Sequence, residues 1–174
     1  KALKKIGVGL MAIGLIAIFA LTGCGRNSAN SITVAGSTAF QQFAEKLADQ
    51  FMAKHPEVRI TVQGGGSALG IQTALSGTAQ IGMADLVELP AEAGALTSIP
   101  VARDGIAIIL NRGNAVTNLS TDQVKGIFNG TITNWKNVGG EDKPIRVVSR
   151  EAGSGTRTSF EQILGGFRLV KDAI

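Results

Sequence analysis

The sequence has one cysteine, one histidine and few aromatic residues, and each shortage removes a class of chemistry. A lone cysteine closes no internal disulfide and builds no multi-cysteine metal site. Nor does it make a thiol catalyst here. The histidine that would activate it, His55, stands directly before Pro56 at the end of a helical pattern, where an exposed surface role is expected. Aromatics are 5% of the chain and its Lys and Arg residues form no stripe, so the footprint of a nucleic-acid binder is missing. No GxxxxGK run followed by Ser or Thr occurs, which removes the phosphate-loop nucleotidases. Gly64-Gly65-Gly66-Ser67-Ala68-Leu69-Gly70 approaches the dinucleotide fingerprint, yet no acidic residue follows at the ribose distance on a strand end. No cofactor and no metal ion are expected.

What is present begins with a leader. Lys1, Lys4 and Lys5 flank the start of an uninterrupted apolar run over residues 6–21, a length that suits a signal peptide better than a membrane span. The run ends in Leu21-Thr22-Gly23-Cys24 and gives way to polar residues 25–31. This resembles a bacterial lipobox. Residues 1–23 are then a lipoprotein signal peptide, Cys24 the diacylated new N-terminus, and residues 24–31 a flexible tether on the extracytoplasmic face of the cell membrane. An uncleaved anchor helix with an incidental cysteine is the alternative. The formal net charge of +4 suits an anionic ligand.

Past the tether, one unit repeats. Ile32-Thr33-Val34-Ala35 reads as a strand, Gly36-Ser37-Thr38 breaks it, and Phe40, Phe43, Ala44, Leu47 and Phe51 recur at helical spacing. Residues 58–63 alternate as a second strand, Gly64-Gly65-Gly66-Ser67 interrupts, and residues 69–75 continue as a helix. Residues 81–84 form a third short strand closing on Asp85. A long apolar strand is expected within residues 99–111, interrupted at Arg103-Asp104-Gly105 and able to carry the chain between lobes. A helix capped by Ser120 or Thr121 ends near Gly130 and turns into Trp135. Residues 145–149 read as another strand, and a polar loop over 150–156 leads into a helix at 157–164. Strands alternating with helices predict an α/β fold with a largely parallel sheet, which binds ligands beyond the C-terminal ends of its strands.

Three of these loops share a chemistry. A helix N-terminus offers unpaired backbone N–H groups and a partial positive charge, so an oxyanion placed there gains hydrogen bonds and a favourable dipole together. Gly36-Ser37-Thr38, Gly66-Ser67 and Gly153-Ser154-Gly155-Thr156 each follow a strand and open a helix, combining close backbone approach with hydroxyl donors. Any one of them also reads as ordinary helix capping. Together they could converge on one crevice. Arg150 opens the third loop and can bring a full charge in fork geometry, or else pair with a neighbour such as Glu151 or Asp142. Asp85 looks misplaced beside an anion unless a proton lies between the two. Phosphate near neutral pH carries that proton and sulfate does not. Capping a helix over residues 86–92 is the alternative role for Asp85.

Several segments in this order carry a family resemblance: Ala35-Gly36-Ser37-Thr38, Val62-Gln63-Gly64-Gly65-Gly66-Ser67 with Gly70-Ile71, Gly77-Thr78-Ala79-Gln80-Ile81-Gly82-Met83, Phe128-Asn129-Gly130-Thr131-Ile132-Thr133-Asn134-Trp135, and residues 149–157 (SREAGSGTR). They resemble the phosphate-binding substrate-capture proteins of the bacterial Pst ABC importer, within the type II periplasmic-binding-protein fold. The likeness runs from about residue 32 to 161. It implies an α/β fold of two lobes with mostly parallel sheets and a hinge, residues 32–105 being the first segment of lobe 1 and residues 106–174 an incomplete lobe 2. It also implies that phosphate is bound by Ser37, Thr38 and the backbone of Ala39, by Ser67, and by Ser154, Gly155 and Thr156. Arg150 would be the charged partner and Asp85 the proton acceptor. The sequence departs from the usual pattern at Ala68 and at Ala84-Asp85. The resemblance implies no enzymatic activity. The implied partners are inorganic phosphate, the permease and ATPase subunits of a phosphate ABC transporter, and the membrane through the lipid at Cys24, with no nucleic acid and a monomeric state.

Proteins of this fold cross between lobes twice, so that the lobes close like a hinge. This sequence crosses once and starts without methionine, so a partial record truncated at the C-terminus, with exposed sheet edges, is expected. Rival readings are a binding protein for sulfate, molybdate or another oxyanion, and a sensory or adhesive surface lipoprotein. A phosphatase is a further one, though it lacks a nucleophile and base pair.

Overall fold

The computed structural model describes residues 30–174, so the leader and Cys24 lie outside the described residues. The described chain opens with three strands and two helices in the order the sequence suggested: β1 (Ser31–Gly36), α1 (Gln41–Lys54), β2 (Arg59–Gly64), α2 (Ser67–Leu75) and β3 (Ile81–Met83). The strands form one parallel sheet in the order β2-β1-β3. Ile32 pairs with Ile60 and Val34 with Val62, while Val34 also aligns with Ile81 and Gly36 with Met83. Because side chains alternate across a strand, Ile32, Val34, Ile60 and Val62 share one face. There they pack with Phe40, Ala44 and Met83 into a small core.

The crossovers β1–α1–β2 and β2–α2–β3 run in opposite directions, which under the right-handed rule puts α1 and α2 on opposite faces of the sheet. Small residues bring α2 close. A Cβ on Gly70 would stand 2.9 Å from both the Ala35 carbonyl oxygen and the Gly36 Cα. On α1 the residues turned to the sheet are Ala44 and Ala48, whereas Phe43, Leu47 and Phe51 of the helical pattern are exposed. His55 ends α1 as its C-cap, stacks on Phe51 with ring centroids 4.4 Å apart, and lies exposed beside Glu57 as expected.

In the second half the helices form and the expected strands do not. Helix α3 (Thr121–Phe128) starts at Ser120, whose hydroxyl accepts from the Gln123 N–H while the Gln123 side chain accepts from the Ser120 N–H. This reciprocal pairing satisfies two otherwise orphaned donors. A 3-10 turn (Trp135–Val138) follows, then α4 (Gly155–Ile163), capped by Ser154. Phe128 meets Phe160 edge-on at 4.7 Å and so ties α3 to α4. Residues 99–111 contain no strand, and Ile99, Val101 and Ile109 are exposed. Residues 145–149 make scattered backbone bonds: the Ile145 N–H donates to the Thr133 carbonyl, the Ser149 N–H to the Ile174 carbonyl, and the Val147 carbonyl accepts the Ile174 N–H, beside an isolated Asn134–Pro144 bridge. An apolar run becomes a strand when a neighbour takes its N–H and C=O groups along its length; among the described residues, 145–149 meet backbone partners only at the single points Thr133 and Ile174, and no such partner stands beside 99–110.

The consequence for function is local. All three strands run the same way, so β1, β2 and β3 end at one edge of the sheet and release Ser37-Thr38, Gly65-Gly66 and Ala84-Asp85 side by side.

Candidate functional site

The first loop has a buried half and an open half. Ser37 is 1% exposed; its N–H donates to the Met83 carbonyl at 2.9 Å and its hydroxyl accepts the Phe40 N–H at 3.2 Å. A hydroxyl that accepts still has its own proton to donate. Thr38 and Ala39 are exposed, and the Thr38 hydroxyl accepts the Gly65 N–H at 3.4 Å. The Gly66 N–H donates to the Gly36 carbonyl at 3.0 Å, which draws the second loop against the first.

The third loop joins them from far along the chain. The Ala68 N–H donates to the Gly153 carbonyl at 3.4 Å, bringing the start of α2 to the start of α4. Asp85 lies between these two helix starts. One of its carboxylate oxygens accepts the Ser67 hydroxyl and the other accepts the Thr156 hydroxyl at 3.0 Å. The Asp85 N–H in turn donates to the Ser67 hydroxyl oxygen at 3.0 Å. Gly155 has to be glycine here, because a Cβ would run into both the Asp85 carboxylate and the Ser67 hydroxyl. Ser67, Asp85, Ser154, Gly155 and Thr156 are thus one cluster, with Thr38 and Ala39 on the adjoining loop.

Asp85 is not a helix cap. No helix follows it until the 3-10 turn Ala91–Ala95, whose N-cap is Pro90. Arg150 has taken the alternative weighed for it. Its Nε and one terminal nitrogen donate to the two Glu151 carboxylate oxygens at 3.0 and 2.9 Å. The Glu151 hydrogen bond raises the Arg150 pKa, burial opposes this, and the charges of Glu151 and then Asp85 add to the rise. Arg150 therefore feels the Asp85 charge without touching it.

Electrostatics at the helix starts distinguish this cluster. The first turns of α1, α2 and α4 contain no acidic residue, whereas that of α3, which contributes no residue to the cluster, contains Asp122. A side-chain carboxylate in a first turn partly neutralises the dipole and orphan N–H groups. At the starts of α2 and α4 the carboxylate present is that of Asp85, which comes from another segment of the chain. One participant escaped the sequence: Ser159, a turn beyond Thr156 on α4, donates to the Asp85 carbonyl at 3.0 Å and accepts the Val87 N–H at 3.1 Å. A lone serine inside a helix pattern carries no motif, so nothing in the sequence singles it out.

The chain is similar to known proteins over most of its length. The family model described as the PBP superfamily domain matches residues 25–173. The phosphate-binding protein PstS of Bacillus subtilis (strain 168) is 39% identical over 136 residues, covering 76% of this chain and 45% of that protein. A Clostridium perfringens protein whose crystal structure contains bound phosphate is 41% identical with a TM-score of 0.78, over 83% of this chain and 61% of that one. An ABC-type phosphate transport receptor from Vibrio cholerae is 41% identical with a TM-score of 0.72, over 83% and 62%. The chain thus spans less than two thirds of the length of these relatives. With the family model matched along nearly all of the described residues and the α/β fold shared with these structures, the chain belongs to the PBP superfamily.

Proposed function

We propose that this protein binds inorganic phosphate outside the cell membrane and delivers it, without chemical change, to the permease of an ABC importer. The observation that carries this reading is the meeting of two acid-free helix starts, those of α2 and α4, on the carboxylate of Asp85, with the Thr38 loop alongside. An anion is invited by the helices and screened by the carboxylate. The Thr38 and Ser154 hydroxyls and the backbone N–H groups of Ala39, Ser67, Gly155 and Thr156 donate to the phosphate oxygens, the Ser67 and Thr156 hydroxyls staying on Asp85, and Ser37 supports the first loop with its hydroxyl. Asp85 accepts the ligand's proton. Arg150 turns its fork from Glu151 to the phosphate, exchanging one bidentate partner for another. Similarity to a PstS phosphate-binding protein and to a structure holding phosphate supports the choice of ligand.

In the same reading residues 32–105 and 106–174 belong to two lobes that close over the anion, and the protein is a monomer. A lipid on Cys24 holds it at the extracytoplasmic face of the membrane, beside the permease and ATPase subunits. Calorimetric titration of the chain tests the binding claim. Phosphate should saturate one site while sulfate gives no heat of binding at the same concentration. Equal affinities would turn the reading to a general oxyanion binder, and silence with both anions would remove it.

A further inference from the structure

We propose that Ser159 is a positioning residue that fixes Asp85 in place and so sets the discrimination between protonated and unprotonated tetrahedral oxyanions. The inference rests on the phosphate reading above. Ser159 is 4% exposed, and both capacities of its hydroxyl are in use: it donates to the Asp85 carbonyl at 3.0 Å and accepts the Val87 N–H at 3.1 Å. Strand β3 ends at Met83 and residues 84–90 form neither helix nor strand, so no ladder holds this turn. Thr156, three residues earlier and therefore on the same face of α4, donates to the Asp85 carboxylate at 3.0 Å. One helix thus grips Asp85 twice, the carboxylate through Thr156 and the backbone through Ser159. The start of that helix also supplies Gly155 and Thr156 to the cluster. Proton acceptor and anion donors are thereby held in a fixed mutual geometry.

Discrimination needs that geometry. A ligand that brings a proton, such as phosphate or arsenate, satisfies the carboxylate only if the acceptor oxygen lies in line with the ligand O–H. Sulfate makes no such bond and gains nothing from alignment. Loss of the Ser159 hydroxyl should let the Asp85 turn drift, weakening the protonated anions selectively.

The test is a double-mutant cycle on this chain, titrated with phosphate, arsenate and sulfate. Ser159→Ala should weaken phosphate and arsenate by up to about fivefold in the wild-type background, a change of about 1 kcal/mol and no more than Asp85→Asn itself costs. In an Asp85→Asn background it should change phosphate affinity by less than about twofold, because the residue acts through Asp85. Ser159→Thr, which keeps the hydroxyl, should restore binding. An equal loss in both backgrounds, or equal weakening of all three anions, would overturn the inference by showing a merely structural role. Amide exchange at Val87 supplies a readout without ligand: faster exchange in Ser159→Ala supports the grip, and unchanged protection overturns it. Failure of the wild-type chain to bind phosphate would count against the proposed function, while the Val87 amide would still decide whether Ser159 holds the turn.

Discussion

Replacing Asp85 by Asn keeps the outline of the side chain and removes its charge and one acceptor. In the structure both carboxylate oxygens are already engaged, one by the Ser67 hydroxyl and one by the Thr156 hydroxyl at 3.0 Å. A carboxylate has about four lone-pair positions, so about two remain for a ligand, and both can only accept. Phosphate donates into one of them. Sulfate has no proton and presents its own lone pairs. A charge-assisted hydrogen bond is roughly twice as strong as a neutral one, and a neutral one is worth about 1 kcal/mol net. Asp85→Asn should therefore cost phosphate about 1 kcal/mol, less than about tenfold in affinity. For sulfate the sign reverses. Like-charge juxtaposition costs several kcal/mol, and relief of about 3 kcal/mol would strengthen sulfate roughly a hundredfold. The preference for phosphate thus shrinks mainly because sulfate gains. Calorimetry with both anions on wild type and variant reads this directly. A variant that still rejects sulfate as strongly as the wild type would refute the idea that Asp85 is the filter.

Glu151→Gln releases the Arg150 fork from its bidentate partner, so phosphate should bind several-fold more tightly at low salt and gain less at high salt; titrations at two ionic strengths check both parts. The Arg150 hydrogen bond also holds the Glu151 carboxyl below its ordinary 4.5. A depressed carboxyl contributes stability that is present above its unfolded value and lost as pH falls through the folded one. Thermal melts should accordingly show no contribution from this pair to pH dependence between about pH 7 and pH 5, and Glu151→Gln should flatten part of the fall at more acid pH. Gly70→Ala pushes a methyl group against the backbone of Ala35 and Gly36, and should cost about 1–3 kcal/mol of stability in chemical denaturation. Ser120→Ala removes the α3 cap, and should cost about 1 kcal/mol of stability with phosphate affinity unchanged, because Ser120 lies outside the site.

The parts of the molecule legible in the sequence are those fixed by local chemistry. Val62 stands between Thr61 and Gln63, Ile32 and Val34 flank Thr33, and β1 and β2 form where they stand. Ser120 with Gln123 and Ser154 before Gly155 are capping patterns contained within a few residues, and α3 and α4 begin at them. Residues 99–111 and 145–149 look equally strand-like but remain irregular, because a strand depends on a partner that a local pattern does not supply. The same holds at the site. Gly153-Ser154-Gly155-Thr156 reads locally as a helix cap and becomes an anion cradle only beside the two similar loops, and Asp85 stands out as a carboxylate closing a strand. Ser159 joins them through a contact spanning 74 residues, which has no local signature. Arg150 lay between, since its fork suits Glu151 next to it as well as a ligand, and it is Glu151 that the structure shows it holding.

The central claim is that one phosphate binds where α2 and α4 start, against Asp85. Backbone amide shifts recorded by NMR while inorganic phosphate is added test it most directly. The account requires saturable shifts concentrated at Thr38, Ala39, Ser67, Gly155 and Thr156, with sulfate leaving those amides in place. Phosphate-induced shifts confined to other regions, or equal shifts with sulfate at these five residues, would contradict it.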